Sequence, residues 1–423
     1  MNSKKLAVLS AVALAFALGL VILNGSESRT KAAIAVCTVP TDHATIQAAV
    51  NDVGCSVINV LPGTYNENVI IFRSLTLNGA QAGVDARGRS GAESIINGGV
   101  GADITITANN VTVDGFTLNG PPSSGLAAIV MQTGNTGETI QNNIINNPGR
   151  AASITTSNTT FSKNVVNNTA TSTDGFQANS TPVSNLTISD NSFGGANPNI
   201  YNADITVIEG NSNVLVSGNS SNGDGTLVAL FKTNGSQITG NTVVGAGFSA
   251  IYIGGGDSNV LVTANQVTSA SSAVKVANDF GVGPNSSVTI TGNTLYNNAY
   301  GINVAATSVT DTVQAHRNSL TGNTLFGISN DPTSGGLVSG TCNWWGAASG
   351  PGPIASGSGD KVSTGVVYAP WLVSANLNGP CIGGSVATNK DQCKNDGWKT
   401  RVRADNTPFK NQGDCVSYTS NGK

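Results

Sequence analysis

The sequence predicts an all-β fold, a right-handed single-stranded parallel β-helix with an N-terminal capping helix and a small C-terminal disulfide module. Three observations carry this: an asparagine recurring about every 25 residues, short strands of alternating apolar and small polar residues around it, and end segments unlike the repeat.

The repeat is visible in ETIQNNII (138–145), TTFSKNVV (159–166), LTISDNSF (186–193), VLVSGNSS (214–221), SQITGNTV (236–243), VLVTANQV (260–267), VTITGNTL (288–295) and VQAHRNSL (313–320). The sixth position, continued into VSGTCN, gives the series Asn143, Asn164, Asn191, Asn219, Asn241, Asn265, Asn293, Asn318 and Asn343, and VTVDGFTL (111–118) places Phe116 there. Val288, Ile290 and Leu295 face one way and Thr289 and Thr291 the other, the period-two signature of a strand. A second strand follows in AIYIG (250–254), AVKVA (273–277) and GINVA (301–305), separated by Gly- and Asn-rich turns. In such a coil an inward carboxamide can satisfy corner backbone groups and the identical amide one rung away, so the column is expected to be a structural ladder. Spacings of 21 to 28 residues read against the lattice-matched threonine face that ice binding needs.

Both ends of a solenoid need covers. TIQAAVNDVG from Thr45 has Ile46, Ala49, Val50 and Val53 at helical spacing and is flanked by Cys37 and Cys55, so it is expected to lie across the first rung. Trp344, Trp345 and Trp371, beside Pro351, Pro353 and Pro370, are expected to form the opposite lid. The six cysteines fall in three groups along the chain, which predicts pairing of neighbours: Cys37 with Cys55, Cys342 with Cys381, and Cys393 with Cys415.

Lys4 and Lys5 before the apolar run 6–23 mark an export signal, which places the protein outside the cell or at its surface. Ala33-Ile34-Ala35 offers a cleavage site, and a retained anchor is the alternative and the only membrane contact expected. The expected organisation is a signal peptide or anchor over 1–35, the β-helix with its caps over 36–375, a linker over 376–390, and a basic two-cysteine module over 391–423. Residues 36–383 carry nine basic and 18 acidic side chains, an acidic body that repels nucleic acid. The absence of any CxxC pair and the presence of only two histidines read against a thiolate or imidazole metal site.

VPTDHATIQAAVND (39–52), INVLPGTYNENVII (58–71), LTLNGAQAGVDARG (75–88), the asparagine series and CNWWGAASGPGP (342–353) together resemble the bacterial parallel β-helix repeat proteins. These belong to the pectate-lyase-like superfamily and include NosD-like periplasmic proteins; the resemblance covers about residues 36–375. The tail, with DQCKNDGWKT and FKNQGDCVSY, resembles a short two-cysteine module of exported bacterial proteins. The resemblance implies the fold and names no activity.

The strings NTD, DD, HG and RIK of polygalacturonase-like enzymes are missing, as are the pectin-esterase segments. A pectate-lyase site needs clustered carboxylates for calcium and a neighbouring base. Alignment of the second strands stacks Ile205/Val207, Val228/Leu230, Ile251/Ile253, Val274/Val276 and Ile302/Val304 inward, which sets Glu209 beside Lys232 and Tyr252 beside Lys275, with Asp257 and Asp279 in the turns after. A lyase would use Lys232 or Lys275 as base and the acidic residues as calcium ligands; ordinary pairing across rungs is the alternative. Calcium is the one cofactor this leaves open. His43, His316 and Met131 are too scattered for copper. Asp85, Arg87, Arg89 and Glu93 read as a salt-linked connection, and Lys390, Lys394, Lys399, Arg401, Arg403 and Lys410 as cations able to meet an anionic wall polymer.

The leading expectation is a non-catalytic extracellular β-helix that binds polysaccharide or another cell surface. A calcium-dependent polysaccharide lyase or related carbohydrate-active enzyme comes second, and a purely structural surface protein third.

Overall fold

A two-residue corner sets the architecture. From Thr112 to Ser319, between each strand of the first sheet and the next strand of the second stand two residues, a left-handed residue and then the ladder position; before that stretch, 15 residues (79–93) separate Thr76–Asn78 from Ser94–Ile96. The left-handed series is Gly115, Asn142, Lys163, Asp190, Gly218, Gly240, Ala264, Gly292, Arg317 and Cys342, with φ from 54° to 79°. Glycine, asparagine and aspartate adopt this conformation readily. That is why they dominate the position just before the repeated asparagine.

The computed structural model describes residues 35–423 apart from 122–125, 147–148, 168–174, 179–181, 195–202, 224, 353–356, 406 and 422–423. The expected signal or anchor, up to residue 34, and Pro353 lie outside the described residues. Among those residues no helix is long and apolar enough to cross a membrane.

The chain winds as a parallel β-solenoid of about 12 turns. Three parallel sheets run its length, with 14, 11 and 11 strands, and each strand pairs with the equivalent strand one turn away. Inward side chains stack in register: Ile205 on Val228, Val228 on Ile251, Ile251 on Val274 and Val274 on Ile302, all fully buried. Along the ladder the rung-length variation is absorbed at the other two corners. Between the second and third sheets the connection is three residues at 269–271 and four at 245–248, and between the third and first it runs from four (254–257) to nine (277–285).

Helix α1 (Ile46–Asn51) closes the first turn, with Ile46, Ala49 and Val50 buried. Thr45 caps it, and the Glu67 carboxylate accepts from the N–H groups of Ile46 and Gln47 at 2.9 Å each. At the other end Arg73 donates to the carbonyls of Val50, Asp52 and Cys55. A negative group thus meets the positive helix end and a cation the negative end. Val53, expected on the buried face, is 83% exposed, because the helix stops before it and the chain turns outward.

At the far end Trp345 is fully buried, Trp344 and Trp371 are half-buried, and Trp371 Nε1 donates to Ala348 O. The disulfides join Cys37 to Cys55, Cys342 to Cys381 and Cys393 to Cys415.

The stretch 376–390, expected as a linker, carries strands in place of free chain. Cys381–Gly383 pairs with Trp371–Leu372, and Ser385–Val386 with Arg401–Val402. Val386 and Val402 pack with Ala369 against the solenoid core, so burial of these side chains draws the segment in. Ala387, Cys393, Phe409 and Cys415 form the module's own small core beside helix α2 (Gln412–Ser420).

Candidate functional site

The ladder is a continuous column of buried, hydrogen-bonded amides. Each Nδ2 donates to the Oδ1 of the next asparagine, from Asn143 to Asn164 (3.2 Å) through to Asn318 to Asn343 (3.1 Å). The same oxygens accept the backbone N–H of the preceding asparagine, and each Nδ2 also reaches a carbonyl one turn back, as Asn241 does to Val216 O at 3.0 Å. All nine side chains are buried, so this column offers no ligand access. It ends at Phe116, whose N–H donates to Asn143 Oδ1. There the buried Arg89 guanidinium takes over, donating to the carbonyls of Phe116 and Asn142 while forking onto Glu93 at 3.1 and 2.9 Å. Glu93 also accepts from Thr117, so Arg89 and Glu93 form an internal plug. Arg87 pairs with Asp85 at 2.7 Å.

A second internal ladder escaped the sequence reading. Asn298 donates to Asn323, and Asp360 accepts from Asn323 Nδ2, Asn323 N and Gly322 N. Two asparagines and an aspartate on unequal spacings leave no repeat to notice.

The proposed lyase residues separate into three environments. Asp257 is buried: Oδ1 accepts from the N–H and hydroxyl of Thr233 at 2.8 Å each, and its own N–H donates to Asn285. It acts as a corner group, and burial raises its carboxyl to about 6. Glu209 and Lys232 are both exposed at left-handed turn positions, and no ion pair joins them among the described residues. Lys232 therefore follows the strand instead of lying on its outer face.

Tyr252, Lys275 and Asp279 do come together. Tyr252 and Lys275 are register partners on the outer face of the third sheet. The Tyr252 hydroxyl donates to Asp279 Oδ2 at 3.1 Å, and Lys275 Nζ contacts the same oxygen at 2.6 Å. Burial first, then the carboxylates of Asp279 and Asp257, drives the Tyr252 phenol far above its usual range, so it is a hydrogen-bond donor at every physiological pH.

Around them lies an aromatic cluster that the sequence reading missed. Phe231, Phe248 and Phe280 lie 5.7, 5.4 and 6.4 Å from the Tyr252 ring, and Lys275 Nζ sits 4.7 Å over Phe248. Phe280 is 60% exposed. Phe248 comes from the corner before the strand Ser249–Ile253, and Phe280 and Asp279 from the nine-residue corner after Ser272–Val276. A chain of 5% aromatics gathering four rings on one outer face was a usable signal. It was hidden because they sit at four different places in their rungs.

His316 lies on the outer face of the first sheet, its Nε2 at 2.8 Å from Gln314, and burial lowers its pKa. Met131 is in the core. In the C-terminal module three of the six cations carry partners: Lys394 with Asp391, Lys399 with Asp396 and Arg403 with Asp414.

No protein-family model and no curated protein sequence matches this chain. Among solved structures it is similar to the catalytic domain of an α-1,3-glucanase (13% identity, 72% of this chain and 68% of that one, TM-score 0.48). It is also similar to PfbA, a surface adhesin of Streptococcus pneumoniae (14%, 73% and 88%, 0.46), and to the A-module of the mannuronan C-5 epimerase AlgE4 of Azotobacter vinelandii (17%, 70% and 93%, 0.44). The chain spans 59% of a lacto-N-biosidase from Eubacterium ramulus that it also resembles. Its function has to be argued from its own residues.

Proposed function

We propose that this protein is a non-catalytic, exported glycan-binding β-helix whose binding face is the outer side of the third sheet around Tyr252. The observation that carries the reading is the aromatic platform of Phe231, Phe248, Tyr252 and Phe280 with the Lys275–Asp279 pair at its side. Phe280, 60% exposed, presents an apolar ring to sugar C–H groups over the half-buried Phe231 and Phe248 and the buried Tyr252, and the adjacent charged pair presents donors and acceptors to hydroxyls. The Lys275 ammonium is already engaged by a carboxylate and two rings, and Tyr252 is held protonated, an arrangement suited to holding a ligand and poor at abstracting a proton. Three disulfides fit an oxidising compartment.

The test is affinity gel electrophoresis against a panel of neutral and uronate polymers, paired with near-ultraviolet detection of unsaturated uronides with and without calcium. Binding without product, with retention lost in Phe280→Ala, supports the reading. Unsaturated product that requires calcium replaces it with the lyase, and retention unchanged in Phe280→Ala and Phe231→Ala removes this face.

A further inference from the structure

The N-terminal cap contains a constellation that its one disulfide conceals. Cys37, His43, Asp52 and Cys55 bring one ligand atom each to within 4.8 Å of one another. His43 Nε2 lies 3.3 Å from Asp52 Oδ2 and 3.4 Å from Cys55 Sγ. In tetrahedral zinc sites, with Zn–N near 2.0 and Zn–S near 2.3 Å, neighbouring ligand atoms stand roughly 3.3–3.8 Å apart. Two of the six edges of such a tetrahedron therefore exist already. That between the sulfurs is shortened by the covalent bond, and the other three lie within 4.8 Å.

Rigid parts hold the four groups. Cys37 is in the first strand, Cys55 opens the second, and the two strands pair side by side. Asp52 is the C-cap of α1, its N–H donating to Ala48 O. His43 sits in the turn whose backbone donates to Thr38 O. Cys37 is half-buried, while Cys55, fully buried, faces the imidazole.

We infer that the reduced cap is a zinc-binding site of Cys37, His43, Asp52 and Cys55, so that the cap is clipped by metal before it is clipped by the disulfide. A dithiol reductant supplies two electrons and two protons, becoming its own disulfide as the bridge opens to two thiols. Zinc entry then releases both thiol protons, leaving two thiolates, one imidazole nitrogen and one carboxylate oxygen on the ion. Reoxidation by a disulfide oxidant reverses the sequence and expels the metal. The spacing C-x5-H-x8-D-x2-C matches none of the usual two-cysteine signatures, and only the strand pairing and the short helix bring the ligands together.

Cobalt(II) is the probe, because tetrahedral thiolate coordination gives it visible bands and a near-ultraviolet charge-transfer band. The untreated full chain should show neither. After reduction it should bind one equivalent with both, displaced by zinc, and zinc should raise its thermal midpoint. Cys37→Ser breaks the bridge without reductant and spares the other two disulfides; it should bind one cobalt through Cys55, His43 and Asp52. Adding His43→Ala to Cys37→Ser should weaken binding at least tenfold, and adding Asp52→Asn should weaken it less. The inference is overturned if neither reduced wild type nor Cys37→Ser binds cobalt, loss of the cap's fold on reduction included, or if His43→Ala leaves affinity unchanged.

Discussion

Asn241 sits mid-ladder, and Asn241→Ala measures what one rung of the column contributes. Its Oδ1 accepts from Asn219 N (2.9 Å) and Asn219 Nδ2 (3.0 Å), and its Nδ2 donates to Val216 O (3.0 Å) and Asn265 Oδ1 (2.9 Å). Asn219 Nδ2 keeps its bond to Ile188 O, and Asn265 Oδ1 keeps the N–H of residue 241. Alanine therefore strands the Asn219 N–H and one amide hydrogen of Asn219 away from water and takes one donor from the Val216 carbonyl, which stays in the paired strand opposite Ile238. At about 1–3 kcal/mol for each of the two stranded groups, the loss is about 2–6 kcal/mol. Asn167→Ala is the control: Asn167 donates to Asn146 Oδ1 at 3.0 Å but is exposed, so water replaces the bond and the change should stay under about 0.5 kcal/mol. Urea unfolding of both variants gives the difference, and hydrogen exchange of the Asn219 amide reports the rung itself. Equal losses for the two variants, or unchanged protection at Asn219, would refute the ladder as a source of stability.

Burial holds the Asp103 carboxyl up at about 7; among the described residues Oδ2 lacks a partner and only Gly98 N donates to Oδ1. A carboxyl raised in the fold stabilises below its ordinary value and loses that contribution as pH climbs through 7. Asp103→Asn should therefore raise the thermal midpoint at pH 8 and leave it nearly unchanged at pH 4. Ala264 holds φ 56° at the fixed corner, and Ala264→Gly should gain about 0.5–1 kcal/mol in urea unfolding, since alanine pays for that conformation. Arg73→Met removes the donors on the α1 carbonyls and should cost about 2–3 kcal/mol, with exchange protection lost first in residues 46–51.

The repeat was legible because its constraint is local and recurrent. A left-handed residue followed by a buried amide is demanded at every turn of the ladder, so Gly-Asn recurs at three of the nine corners, with Asn-Asn and Asp-Asn at two others. Patterned burial likewise marked Ile46, Ala49 and Val50. Val53 was misplaced because spacing alone does not say where a helix ends. The salt link of Arg89 to Glu93 was readable, but the backbone groups held by Glu67, Arg73 and Arg89 were not: each acts once, on groups 18 to 53 residues away, and leaves no periodic trace. Asp257 looked like a turn carboxylate because sequence shows the turn but not that its side chain points into the corner. The Tyr252–Lys275 contact was readable from strand alignment, whereas Phe231, Phe248 and Phe280 depend on loops of unequal length converging.

That convergence follows from the corner chemistry. Along the ladder, from Thr112 to Ser319, the corner joining the first and second sheets is fixed at two residues, because the ladder tolerates no insertion without breaking the stack of amides; the one long insertion there, 79–93, precedes the ladder. Within the ladder, variation in rung length is forced to the other two corners, and those are the two edges of the third sheet. Its outer face is therefore the one place where a constant, rigid surface is bordered on both sides by segments free to change. Phe248 rises from one border, Phe280 and Asp279 from the other, and Tyr252 and Lys275 from the sheet between. A preorganised floor with variable walls is what a binding site requires. Grafting a three-residue corner such as 269–271 in place of 277–285 should then leave the solenoid's far-ultraviolet circular dichroism and the ladder intact while abolishing glycan retention. A graft that still binds would place the site on another face.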